Sequence, residues 1–237
     1  MAELISLDRF VDVLQAARRE HIALIGGGGK TTLLHALGSQ LGGSRVLTTT
    51  TVMGHDQHGD LPVVFPTTDG DVARAARNRA VVVWRRIEGK KAKGVAPEDC
   101  DRWFDLVDHV VVEADGARQR PFKAPAPYEP VVPATATLLV SVIGADALGR
   151  VIADQCHRPL RVAALAGCTP YERLSATHAA SVLLHHRGAL RAKPAGARLV
   201  VVINKVDDMS RRSVDELVDV LHGRDRTLQV IAISRRQ

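Results

Sequence analysis

Residues 21–32 read H-I-A-L-I-G-G-G-G-K-T-T: an apolar run leads into four glycines and then into a lysine and two threonines. Leucines at helical spacing follow, so the order is strand, glycine turn, helix. Glycines let backbone N–H groups curl around phosphate oxygens, and the helix N-terminus adds partial positive charge. The stretch therefore predicts a phosphate-binding loop (P-loop) built from Gly26, Gly27, Gly28, Gly29, Lys30, Thr31 and Thr32.

The spacing of this loop differs from the usual G-x-x-x-x-G-K-[ST] pattern. Gly29, Lys30 and Thr31 fit the pattern, but residue 24 is a leucine, so the loop is a shortened variant. We expect Lys30 to reach the β- and γ-phosphates as a catalytic group and the Thr31 hydroxyl to ligate Mg²⁺. The alternative is a glycine-rich strand-to-helix turn with a surface lysine.

Apolar runs rich in Val, Ile and Leu recur along the chain and alternate with helical patterns. Several of these runs are nearly continuous, as in strands that are buried on both faces of a parallel sheet. They predict an α/β fold, a three-layer P-loop NTPase with a mostly parallel sheet and helices on both faces. The seven predicted strands lie at residues 22–25, 46–47, 80–84, 109–112, 137–143, 198–203 and 228–233.

Domain organisation follows from length and proline content. We predict a single domain over residues 1–237. Five of the eleven prolines fall within residues 118–133, which rules out an interior strand or a helix there. This segment predicts a long, stiff functional loop at about residues 116–133.

Two carboxylates follow the predicted strand at residues 109–112. Glu113 and Asp115 are two residues apart, so both can point the same way. The end of a buried parallel strand is where P-loop enzymes carry their Mg²⁺-binding carboxylate. We expect one of the two to hold Mg²⁺ and the other to orient the attacking water. An ordinary loop start is the alternative.

A third signal follows the predicted strand at residues 198–203. Asn204, Lys205, Val206 and Asp207 form an N-K-x-D pattern. A carboxylate at Asp207 can accept hydrogen bonds from guanine N1–H and from the 2-amino group, whereas adenine offers neither donor. Asn204 can contact guanine N7, and the Lys205 stem can cover the ring. The pattern favours GTP, with ATP possible.

Two further groups are candidates for contact with the γ-phosphate. Residues 48–51 are four threonines after a strand, and Thr50 is a candidate Mg²⁺ ligand, although threonine is also a common strand residue. The proline-rich segment carries Arg118, Arg120 and Lys123, which predict an internal arginine finger or a site for an anionic second substrate. Solvated surface charge is the alternative.

Composition narrows the class of protein. The net charge of +6 suits an anionic ligand, but only 3% of residues are aromatic, so nucleic-acid binding is not expected. The three cysteines form no C-x-x-C pair, and no apolar run nears 18 residues. The first residues lack the basic start of a signal peptide. We expect a cytoplasmic protein without membrane contact.

Taken together, the motifs resemble the YqeC family. The resemblance rests on G-G-G-G-K-T-T, on T-T-T-T, on V-E-A-D-G-A-R-Q-R-P-F-K-A-P at residues 112–125, on H-R-P at residues 157–159 and on V-I-N-K-V-D. It implies a nucleotide-dependent accessory role in maturing selenium-dependent molybdenum hydroxylases, with a molybdenum hydroxylase or a molybdopterin-type cofactor as partner. Three functions stay open: a Mg²⁺-dependent GTPase, a small-molecule kinase or ligase on the same fold, and a non-catalytic nucleotide-binding module.

Overall fold

The structure is a computed structural model that describes residues 3–235. Its strands are β1 Leu4–Ile5, β2 Glu20–Gly26, β3 Arg45–Thr49, β4 Val52–Gly54, β5 Val63–Val64, β6 Ala80–Val83, β7 Arg86–Glu88, β8 Lys91–Lys93, β9 His109–Glu113, β10 Phe122–Lys123, β11 Leu138–Gly144, β12 Cys156–His157, β13 Arg198–Val206 and β14 Gln229–Ser234. Its α-helices are α1 Phe10–Leu14, α2 Lys30–Gln40, α3 Asp69–Ala75, α4 Pro97–Phe104, α5 Ile152–Gln155, α6 Pro159–Ala166, α7 Ala176–Leu183 and α8 Arg211–Arg224. Short 3₁₀ turns lie at Leu7–Arg9, Ala145–Ala147 and Ala189–Ala192.

Within residues 3–235, nine strands form one sheet in the order β1-β14-β13-β11-β2-β9-β3-β6-β5. Every pairing in this sheet is parallel. All seven strands predicted from apolar runs belong to it, so the parallel sheet is confirmed. The two edge strands, β1 and β5, were not predicted, since two residues carry no readable periodicity.

Helices cover both faces of the sheet, which confirms the three-layer arrangement. In β2, Ile22 and Leu24 pack on the side of α1 and α2, while Ala23 and Ile25 face α3 and α4. The side chains alternate in this way because successive residues of a strand point to opposite faces. Helices α6, α7 and α8 pack together over the far half of the second face, where α8 contacts β13.

The carboxyl ends of the central strands meet at one edge of the sheet. Register pairs Leu24 of β2 with Glu113 of β9, and Thr49 of β3 with the same Glu113. On the other side of β2, Gly26 pairs with Val142 of β11. Ligands of open parallel sheets bind at this edge. The phosphate loop, the carboxylates and the threonine run therefore lie together there.

A small antiparallel sheet, β4-β8-β7, stands beside this edge. It begins directly after the threonine run. Its end is bonded back to that run, since the amides of Gly94 and Val95 donate to the carbonyl oxygens of Thr51 and Thr49. The connection from β7 to β8 is a two-residue turn with Gly89 at φ 56°, as hairpins favour. This sheet was not predicted from the sequence.

The proline-rich segment differs from the expected loop. It contains β10, which pairs in parallel with β12, and Phe122 is 1% exposed. Irregular chain can be buried when its backbone polar groups find partners. Here Gly144 N–H donates to Pro121 O at 2.8 Å, and Val131 N–H donates to Ala114 O at 2.9 Å. The segment therefore packs into the core beside the phosphate loop.

No helix among residues 3–235 combines the length and the apolar character needed to cross a bilayer.

Candidate functional site

The glycine run is pressed against the end of β11. Gly26 and Gly28 have φ angles of 95° and 84°, which disfavour other residues. A Cβ atom on Gly28 would lie 2.1 Å from the backbone nitrogen of Gly144. The amides of Gly27 and Gly28 are already bonded, to Val142 O at 2.9 Å and to Arg120 O at 3.2 Å. The glycines thus shape the loop, and their first amides serve the fold rather than a ligand.

The start of α2 offers the free amides instead. The first helical bond runs from Leu33 N–H to Gly29 O at 3.1 Å, and the earlier N–H groups of a helix have no partner within it. Residues 28–32 line a cavity of about 540 Å³. The first turn of α2 therefore provides N–H groups and a partial positive charge for an anion.

Lys30 is buried beneath the loop, with 4% of its surface exposed. Its Nζ donates to Gly26 O at 2.6 Å and lies 3.2 Å from Asp115 Oδ1 and 3.6 Å from Glu113 Oε1. Burial alone would lower the pKa of Lys30, but the two carboxylates outweigh it and raise the pKa above its ordinary value. The Lys30 ammonium group therefore stays charged although it is buried.

The two predicted carboxylates have different surroundings. Glu113 lines the cavity, and its Oε2 accepts the Thr31 hydroxyl at 2.9 Å. Asp115 is 2% exposed, and both of its oxygens lie 3.1 Å from Gly26 N–H. Glu113 thus faces the cavity, whereas Asp115 holds the glycine loop through the Gly26 N–H.

Thr50 is turned toward the proline-rich segment. Its hydroxyl donates to Val131 O at 2.7 Å. The neighbouring Thr49 hydroxyl donates to the backbone oxygen of Glu113 at 2.7 Å. Thr50 is not among the lining residues of the cavity in the described chain. The metal contact by Thr50 stays a prediction, since its side chain lies outside the lining of the described cavity.

A chain of alternating charges, buried at Lys30 and partly buried at its far end, runs from Lys30 to the H-R-P triplet. Lys123 Nζ lies 3.1 Å from Asp115 Oδ2 and 2.8 Å from Glu129 Oε2. Arg158 Nη1 lies 2.8 Å from the same Glu129 oxygen. Burial would raise the pKa of Glu129, but Lys123 and Arg158 outweigh it, so that pKa lies below its ordinary value.

One predicted role changes as a result. Lys123 is a buried structural cation rather than a contact for an anionic substrate. Beside it in β12, burial and the cations Arg158, Lys123 and Arg118 lower the pKa of His157 to about 4. Glu129 was missed because nothing in its local sequence marks it: its partners are 6 and 29 residues away.

The two arginines of the proline-rich segment, Arg118 and Arg120, differ in their contacts. Arg120 donates to the backbone oxygen of Asp154, which fixes it against α5. Both arginines are exposed and line the cavity, but the Arg118 side chain makes no hydrogen bond or ion pair within residues 3–235. Arg118 is therefore the arginine of this segment that can contact a ligand without losing a bond.

The N-K-x-D residues lie at the end of β13, two strands from β2. Asn204 Nδ2 donates to Gly28 O at 2.9 Å. Lys205 lines the cavity, and its Nζ lies 3.4 Å from Asp146 Oδ2. Asp207 Oδ1 accepts from Ser210 N–H at 2.9 Å, and Asp207 Oδ2 lies 3.7 Å from Arg235 Nη1. Ser210, followed by Arg235, lowers the pKa of Asp207, which is therefore an anion.

Comparison with known proteins points to one family. A family model described as "YqeC protein" matches residues 22–160, which include the phosphate loop, both carboxylates and the H-R-P triplet. A protein of Escherichia coli (strain K12), named "Uncharacterized protein YqeC", is 32% identical over 204 residues, covering 82% of this chain and 79% of the relative. The N-K-x-D residues lie outside the span that the family model matches.

Proposed function

The chain belongs to the YqeC family, and from that premise we propose that it binds a nucleoside triphosphate with Mg²⁺ and hydrolyses it. One observation carries the proposal. Lys30, Thr31 and Glu113 come from two different strand ends and meet at the open first turn of α2, beside one cavity. A fixed cation, free helix amides, a hydroxyl and a carboxylate together suit a Mg²⁺-bound triphosphate.

The donor set fits Mg²⁺. This ion takes six oxygen ligands in octahedral geometry at 2.0–2.1 Å, so adjacent ligand oxygens lie about 2.9 Å apart. Thr31 Oγ1 and Glu113 Oε2 are 2.9 Å apart. These two side chains would hold the ion, and the ion would supply charge neutralisation between the β- and γ-phosphates.

Protein residues would supply the remaining contacts to the nucleotide and to the attacking water. The phosphates would bind the first-turn amides of α2, and Lys30 would exchange its contacts with Glu113 and Asp115 for phosphate oxygens. Asp115 keeps the loop in shape through Gly26 and Lys123 while this exchange occurs. Glu113, at the cavity wall, is the carboxylate in a position to orient an attacking water as well as to contact the metal ion.

The N-K-x-D sequence supports guanine as the base. Asp207 remains charged, and its Oδ2 faces Arg235. Guanine would compete with Arg235 for this oxygen, so the proposal needs Arg235, which is 64% exposed in its side chain, to move aside. One N–H of the Asn204 side-chain amide already donates to Gly28 O and supports the loop, so only its second N–H would contact the base.

The decisive experiment measures binding of Mg²⁺-GTP, Mg²⁺-ATP and Mg²⁺-XTP to the wild type and to Asp207→Asn, with phosphate release followed in parallel. We expect GTP to bind better than ATP, and we expect Asp207→Asn to favour XTP, whose base offers the matching acceptor. Equal binding of ATP and GTP, unchanged by the substitution, would refute guanine recognition. Binding without turnover would reduce the proposal to a nucleotide-binding module.

Family membership also supports a cellular role. We extend the proposal to the maturation of molybdenum-cofactor hydroxylases, with a hydroxylase or a molybdopterin-type cofactor as the partner of the nucleotide-bound form. Deleting the gene should lower the activity of such a hydroxylase without lowering its protein level. Restoration by the wild type but not by Lys30→Gln would link the role to the nucleotide site.

A further inference from the structure

The cavity beside the phosphate loop extends past the expected position of the γ-phosphate. Lys205, next to the proposed base site, lies near the end of β13, while residues 52–57 follow β3, and both line the cavity. Four strand spacings separate β13 from β3 in the sheet, about 19 Å at about 4.8 Å each. The proposed base site and the β4-β8-β7 sheet therefore lie on opposite sides of the phosphate loop.

The far wall of this cavity carries cations that form no ion pair with the described part of the chain. Lys90 and Lys91 lie at the β7–β8 turn, and Arg118 comes from the proline-rich segment. Within residues 3–235, the side chains of these three residues make no hydrogen bond or ion pair. All three are exposed. Among the described residues that line the cavity, the acidic ones are Asp56 and Glu113.

The same hairpin neutralises its other cations. Glu88 pairs with Arg86 at 2.6 Å and with Lys93 at 3.2 Å, and Lys93 does not line the cavity. The unpaired charge of this hairpin is therefore confined to its turn, at Lys90 and Lys91, and is not a general property of the hairpin surface. The turn is also held in place, since His55 N–H donates to Lys90 O at 3.2 Å.

Arg118 is held in an unfavourable backbone conformation. Arg118 and Gln119 both have positive φ angles, of 49° and 62°. Such angles in two consecutive residues other than glycine are uncommon, and they concentrate at functional sites. The guanidinium group, a planar fork of donors, matches a phosphate with two parallel hydrogen bonds.

We propose that Lys90, Lys91 and Arg118 bind the phosphate group of a second, phosphorylated small-molecule substrate beside the nucleotide's γ-phosphate. The inference rests on the proposed nucleotide site for its position and adds a substrate class to it. A cavity of about 540 Å³ lies within the range of roughly 300–1,000 Å³ that small-molecule sites occupy. Asp207, the proposed base contact, is not among its lining residues, so the cavity serves the phosphate end of the nucleotide and a neighbouring small molecule.

The test uses inorganic phosphate as the probe. The full chain is saturated with Mg²⁺ and a non-hydrolysable GTP analogue, and phosphate is titrated in by calorimetry. We compare the wild type with Lys90→Gln, Lys91→Gln, Arg118→Gln and the control Lys93→Gln, which removes the same charge from the same hairpin. Each of the first three should weaken phosphate binding by at least about tenfold, and the control by less than about twofold.

Several outcomes would overturn the inference while the nucleotide site stands. Phosphate could fail to bind the nucleotide-loaded wild type, or Lys93→Gln could weaken it as much as the other variants. The variants at Lys90, Lys91 and Arg118 could also weaken nucleotide binding tenfold, which would make these residues part of the nucleotide site.

A different case arises if the wild type binds no nucleotide. The proposed function then fails, and phosphate is titrated into free wild type and Lys30→Gln. Binding that needs Lys90, Lys91 and Arg118 but not Lys30 would still uphold the second site; any other pattern would end it.

Discussion

Asn204 Nδ2 donates a hydrogen bond of 2.9 Å to the carbonyl oxygen of Gly28, which ties the end of β13 to the phosphate loop on β2. The amide oxygen of Asn204 accepts from Lys205 N–H at 2.9 Å, so both ends of this buried side chain are used. The residue read from the sequence as a base contact is therefore first a support of the loop.

Asn204→Asp should destabilise the protein and weaken nucleotide binding. The new carboxylate oxygen would face the Gly28 carbonyl oxygen, and a buried acceptor without a donor costs about 1–3 kcal/mol. Urea unfolding and GTP titration measure the two effects. Asn78→Asp, at an exposed position, is the control and should change neither. A stable Asn204→Asp protein with unchanged affinity would show that the bond to Gly28 is dispensable.

Lys123→Gln should cost about 3–5 kcal/mol of unfolding free energy, because it leaves buried Asp115 and partly buried Glu129 with one cation fewer. Adding Glu129→Gln should recover part of this loss, and a double-mutant cycle in urea gives the coupling energy. The control Lys93→Gln breaks a pair of half-exposed side chains and should cost at most about 1 kcal/mol. Equal losses for both lysines would contradict the buried-network interpretation.

Thr31→Val should abolish the Mg²⁺ dependence of GTP affinity, since it removes the hydroxyl that lies 2.9 Å from Glu113 Oε2. Thr50→Val is the matched control. Its hydroxyl donates to Val131 O, so we expect a stability loss of about 1 kcal/mol and an unchanged response to Mg²⁺. Affinities measured with Mg²⁺ and with EDTA distinguish the two. The reverse pattern would make Thr50 the metal ligand.

The stability of the protein should fall as the pH falls from 6.5 toward 4, in part because of His21. Burial lowers the pKa of His21 from 6.5 to about 4, although Asp101 partly offsets this. The unfolded chain binds a proton at His21 in this range and the folded chain does not, so unfolding is favoured. The contribution reaches at most about 3 kcal/mol and is complete below the folded pKa.

His21→Gln removes this titration, so its unfolding free energy should vary less with pH than that of the wild type. Urea unfolding at pH 7, 6, 5 and 4 measures the slopes. His186→Gln, at an exposed histidine, should keep the wild-type slope. Parallel curves for His21→Gln and the wild type would show that another group controls the acid response.

The parallel sheet was predictable because its strands are buried on both faces. Runs such as residues 109–112 and 198–203 are nearly continuous Val, Ile and Leu, and no polar alternation confuses the pattern. Helix α4 is harder to predict from the sequence, although Pro97 begins it and acidic residues lie in its first turn. Only Cys100 and Trp103 are buried along it, so the apolar periodicity is too sparse to detect.

The site was predictable where its chemistry lies within a short motif. Lys30, Thr31 and Glu113 meet as the motifs suggested, since parallel strands end at the same edge. The partners of Lys123 were not predictable in this way. Glu129 and Arg158 are joined to it by tertiary packing of an irregular segment, which no local pattern encodes. The free cations at the β7–β8 turn were missed because the hairpin strands are three residues long.

The order of the strands also bears on how copies of this protein avoid one another. In the described sheet, the strands at both borders, β1 and β5, are only two residues long. Long, unpaired borders of a sheet present rows of backbone donors and acceptors that recruit other chains into fibrils, and very short border strands blunt that template. Extending the pairing of β5 along Ala80–Val83 would lengthen this border, and such a variant should polymerise more readily than the natural chain.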